Sequence, residues 1–137
     1  MFPAAFMLPD GYAVCAKHLR TTLVARGDNA VVCTSKVPDP RPGRFVHLRR
    51  LGGIRPTPVT DAAQIGAECW GTTPEEAQDL AQMARAILTG MAHSIAESVP
   101  VGKVDDLAGP SELPDIFSQQ PRYVFSVVVH LRGAALT

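Results

Sequence analysis

Apolar residues recur at three- and four-residue steps over residues 10–26 (Tyr12, Cys15, Leu19, Leu23), which predicts a helix. Pro9 and Asp10 suit its start, and Gly27 offers a left-handed stop. The β-branched run at 30–36 reads as a strand and is ended by Pro38, Pro40 and Pro42. Residues 44–51 read as a second strand, with Val46, Leu48 and Arg50 on one side and Phe45, His47, Arg49 and Leu51 on the other. Gly52-Gly53 closes it, and the proline-broken segment 54–59 reads as a loop. Over 61–70 the alternation is clean. Ala63, Ile65, Ala67 and Cys69 share one face, and Gln64, Gly66, Glu68 and Trp70 the other.

The sharpest local signal is Thr73-Pro74-Glu75-Glu76, a capping box with proline at the first helical position. Thr73 is expected to accept from the Glu76 amide while Glu76 reaches back to Thr73. The stripe Ala77, Leu80, Ala81, Ala84, Ile87, Leu88 and Met91 then carries a helix ending near 90–93. A weaker strand is expected over 99–108, a long loop over 109–121 and a strong strand over 122–132. In that last strand Tyr123, Phe125, Val127, Val129 and Leu131 lie on one face. The order is α-β-β-β-α-β-β. This predicts an α+β two-layer domain, a mixed sheet of about five strands with both helices packed on one face. The capped helix is expected to cross between the third and fourth strands. The whole chain, 1–137, reads as one domain, with residues 1–8 as a mobile or docking arm.

Composition alters this picture little. Lys and Arg together number 13, as do Asp and Glu, so bulk charge points to no partner. Its distribution is uneven, however. From Lys36 to Arg55 there are six basic residues and a single acid, Asp39. Such a split within a small domain supplies complementary surfaces for self-association or for a partner. As a plain alternative, charged residues protect a sheet edge from unwanted pairing. The stretch has no interleaved aromatics beyond Phe45, so base stacking is not indicated.

Candidate chemistry is sparse. Cys15, Cys33 and Cys69 are far apart, form no C-x-x-C, and read as reduced, buried thiols. A thiol nucleophile would pair Cys69 with His47 or His130, but Cys69 falls on the apolar side of its strand. Asp105 and Asp106 are neighbours on a strand and point to opposite faces, unlike a shared metal or acid–base pair. Arg26-Gly27-Asp28 is explained by its place at a helix end, and His93 reads as a partner for a helix C-terminus. No run approaches the length of a membrane span, and the apolar N-terminus lacks the basic start of a signal peptide. No catalytic residue, cofactor or metal ligand is expected.

Four segments carry a family resemblance by their order and spacing: SKVPDPRPGRFVHLRRLGG (35–53), TDAAQIGAECWGTTPEEAQDLAQMARAI (60–87), LAGPSELPD (107–115) and QPRYVFSVVVHLRG (120–133). Together they resemble the tail terminator proteins of long-tailed bacteriophages of actinobacteria, over roughly residues 31–133. None of the segments is a catalytic signature. The resemblance implies a small α+β domain without enzyme activity that assembles as a hexameric ring in the virion. It would sit on the head-proximal end of the tail tube after assembly in the host cytoplasm. Its partners would be further copies of itself, the major tail tube protein and the head–tail connector or head completion protein, with genome DNA passing through the lumen and no membrane involved. Candidates for the assembly interface or the DNA channel are Arg41, Arg44, Arg49, Arg50 and Arg55 of the basic stretch, with Glu112 and Asp115 of the long loop. Reversing Arg49 and Arg50 together is expected to impair assembly and spare the fold. The alternatives are another neck or tail-tube ring component, such as a tube subunit or head completion protein, and a small nucleic-acid-binding domain.

Overall fold

The computed structural model describes residues 5–33 and 36–136. Helix α1 (Gly11–Ala25) starts where Asp10 accepts from the Ala13 amide at 3.1 Å. It ends in a paired C-terminal turn: Asp28 N donates to Leu23 O and Gly27 N to Val24 O, with Gly27 at φ 74°. The Arg-Gly-Asp tripeptide is thus a helix stop. Helix α2 (Pro74–Thr89) starts at Thr73, whose hydroxyl accepts from Glu76 N at 3.1 Å. The return bond differs from expectation. The Glu76 carboxylate accepts from the amide and hydroxyl of Thr72, one residue further out, and these bonds hold its pKa below the usual range. His93 lies beyond α2, with φ 58° and its amide donating to Gly102 O.

The main sheet is mixed and has six strands: β2 (Val31–Cys33), β3 (Phe45–Thr57), β4 (Thr60–Trp70), β7 (Arg122–Arg132), β6 (Val99–Glu112) and β5 (Ile95–Ala96), in that spatial order. β2 and β3 are parallel, and the other contacts are antiparallel. Parallel neighbours need a crossover. Here the proline-rich segment before β3 is that crossover. β4 and β6 run the same way, as a helical crossover requires, but β7 lies between them.

Three expectations are corrected. First, β3 does not stop at Gly52-Gly53 but continues to Thr57, turning through Pro58 and Val59 into β4. The glycines absorb a register shift against β4 at φ 113° and 124°, and a Cβ on Gly53 would lie 2.0 Å from Ala62 O. Pro56 is tolerated because this half of β3 is an edge. Second, β6 runs through Gly109-Pro110 to Glu112, with three register shifts against β7, so the expected loop over 109–121 begins only after Glu112. Third, β5 makes the main sheet six strands, and a separate two-stranded ribbon joins β1 (Phe6–Met7) to β8 (Ala134–Ala135). The expected arm is therefore tied to the C-terminal end at Phe6 and Met7. Residues 1–4 of that arm, and 34–35 of the first expected strand, lie outside the described residues.

Both helices pack on one sheet face. Leu19, Leu23, Leu80, Ala84 and Leu88 meet Val46, Leu48, Ile65, Val127, Val129 and Leu131 in one core. The alternation read for β4 and β7 matches the observed burial from Ala63 to Cys69 and from Phe125 to Leu131, whereas Trp70, read on the opposite face, is buried as well and Tyr123 only partly. A second, smaller core lies apart from it, where Phe45 and Trp70 stack at 4.5 Å beside Cys33 and Val37. Long strands thus leave the body of the domain: residues 49–57 of β3 are exposed throughout, as is nearly all of 102–112 of β6.

Candidate functional site

The basic segment is neutralised largely within the chain. Arg44 binds Asp28 through Nε and Nη2 at 3.2 and 2.9 Å, tying the end of α1 to the start of β3. The hydrogen bond from Arg44 holds Asp28 below the usual carboxylate range and raises the guanidinium in turn. Arg50 grips the buried Asp61 through Nη1 and Nη2 at 2.9 and 3.0 Å. Arg41 lies over the Phe45 and Trp70 rings at 5.4 and 5.6 Å, and 3.6 Å from Asp115. Among the described residues, Arg55 reaches only carbonyls, those of Phe6 and Pro58.

Arg49 is the most exposed of the paired arginines and sits 3.8 Å from Glu68. Glu68 is a hub on the helix-free face of the sheet, with Arg122 at 2.9 Å and His47 Nδ1 at 3.4 Å. The Nε2 of His47 is buried without a hydrogen-bond partner among the described residues. Arg49 and Arg50 therefore have different roles, and reversing both would break a buried pair as well as change a surface. Sequence reading missed Asp28, Asp61 and Glu68 as partners because each is remote in the chain from the arginine it meets.

Asp115 is buried, not an exposed loop acid. It accepts from the amides of Phe117 and Ser118 and from Trp70 Nε1 at 3.3 Å. Burial pushes its pKa up, but these donors outweigh that and hold it below the usual range. The result is a hydrogen-bonded turn that presents Ile116 and Phe117, 80% and 92% exposed, to solvent. Glu112 is exposed at the end of β6 and makes no ion pair among the described residues.

The helix-free face has a trough between β3 and β6. One cavity of about 260 Å³ is lined by Leu51, Gly66, Ala108, Leu113 and Val124. Another, of about 280 Å³, continues along the strands beside Ile54, Gln64, Val128 and His130. The register shifts in β3 and β6 bend both walls. Asp105 points to His130 on this face and Asp106 to Arg85 on the helix side, as the strand period requires. The thiols are poor nucleophiles here. All three are buried, burial pushes Cys15 up to about 12, and it raises Cys33 and Cys69 as well. Compared with known proteins, the chain matches no family model and no curated sequence.

Proposed function

We propose that this protein is a structural component of a long-tailed phage virion, a tail terminator that forms a ring at the head-proximal end of the tail tube. There it ends tube polymerisation and presents the surface to which the head connector docks. One observation carries the assembly role. Large apolar side chains stand outside the core: Leu51 and Ile54 on β3, Leu107 on β6, and Leu113, Ile116 and Phe117 beyond it. Clustered exposed apolar residues on a well-packed domain mark a surface meant to be covered. The Asp115 turn lowers the entropy cost of docking Phe117 by holding it in place beforehand. The choice of a terminator among assembly proteins rests on the order and spacing of the four sequence segments.

The reading is tested in infected cells that lack the protein. Tails grow past their normal length and fail to join heads, and adding the purified protein back restores both. Tails of normal length that join heads without it would overturn the proposal. Electron microscopy of the purified protein on tube ends separates this reading from that of a tube subunit. A terminator adds one ring and stops, whereas a tube subunit extends the stack.

A further inference from the structure

Two rims of the sheet stand open on opposite sides. β2 covers the outer side of β3 only as far as His47, and β5 covers β6 only at its start. Beyond those points no described strand pairs with either. The rims differ in charge. Residues 49–57 of β3 carry Arg49, Arg50 and Arg55 and no acid. Residues 103–112 of β6 carry Asp105, Asp106 and Glu112 against Lys103 alone. Each rim also exposes apolar side chains, Ile54 at 71% and Leu107 at 51%. Arg55 and Glu112 have no oppositely charged partner among the described residues, so each rim keeps a charge unmatched within the subunit.

From these features we infer that the β3 rim of one copy packs against the β6 rim of the next. This deepens the ring reading and rests on it. The two rims are different surfaces of one chain, so the contact is head-to-tail and propagates around a closed ring. β3 and β6 run in opposite directions across the sheet, so a rotation that carries one copy onto the next sets them antiparallel. In this contact Ile54 faces Leu107, and the arginines of the β3 rim run along the acids of the β6 rim. Bulges in both strands, together with Pro56 and Pro110, forbid a long regular backbone ladder. The contact is therefore made by side chains, with apolar residues at its centre and charges around them.

The test uses the single substitutions Ile54→Cys and Leu107→Cys. Both positions are exposed, and the native thiols are buried. The two variants are mixed at high concentration and oxidised, and the cross-linked peptides are identified by mass spectrometry. The expected product is a 54–107 disulfide at least tenfold above either homodimer. The chain carrying both substitutions should give a ladder of cross-linked oligomers. Homodimers alone, or no cross-link, would overturn the contact. Microscopy of the same samples separates the two proposals. Single rings without the 54–107 link overturn the rim contact and leave the ring reading. A 54–107 link within long tubes keeps the contact and overturns the terminator reading.

Discussion

At the scale of single residues, most of the positive charge that stood out along the chain serves the fold. Asp28 shows this most directly. Its pKa is lowered chiefly by the hydrogen bond from Arg44, so its contribution is full above the unfolded-state value near 4 and is lost as pH falls through the lower folded value. Replacing Asp28 with Asn is expected to cost about 2 kcal/mol at neutral pH, the scale of a hydrogen bond to a charged group. That difference should shrink toward zero in acid, once the wild-type carboxyl is also protonated. Denaturant unfolding at pH 7 and at progressively lower pH follows that loss, and a pH-independent gap would show that the ion pair is not its source. The spacing of residues could not reveal Asp28 as the partner, because the helix stop at Gly27 turns the chain back toward β3 only in three dimensions.

At the scale of elements, the helices and the two inner strands were legible from their own periodicity. α1, α2, β4 and β7 each bury one face, and burial on one face imposes the period. β3 and β6 were read too short because their second halves bury neither face, so no alternation marks them. Gly52-Gly53, which follow the unpaired Leu51, and Gly109-Pro110 look like turns in sequence but lie at bulges in long strands. Gly53→Ala tests this at β3. Its φ of 124° and the nearby Ala62 carbonyl leave no room for a Cβ. The substitution is expected to cost about 1–3 kcal/mol, the range for strained backbone. Amide exchange should rise in residues 49–57 and stay unchanged in β7. An unperturbed β3 hairpin would show that the bulge tolerates a side chain.

At the scale of the whole molecule, the question is which charges remain available to a partner once the fold has used its share. Arg49→Glu and Arg50→Glu separate the two uses. Arg50→Glu places a second carboxylate against buried Asp61 and is expected to destabilise by about 3 kcal/mol or more, as breaking a buried pair does. Arg49→Glu changes an exposed side chain and should leave unfolding within about 0.5 kcal/mol of wild type while weakening ring assembly. Thermal unfolding combined with assembly on tube ends reads both effects, and normal assembly with Arg49→Glu would remove this arginine from the interface. By itself the sequence determined the α+β composition, both helix starts and stops, and the buried faces of the inner strands. These are local rules, written in caps and periods that each segment carries alone. Tertiary structure decided the strand order, the second core of Phe45 and Trp70, and the pairing of Arg44 with Asp28 and Arg50 with Asp61. It also decided which strand halves stand open, because each of these depends on contacts between residues far apart in the chain, where no local period operates.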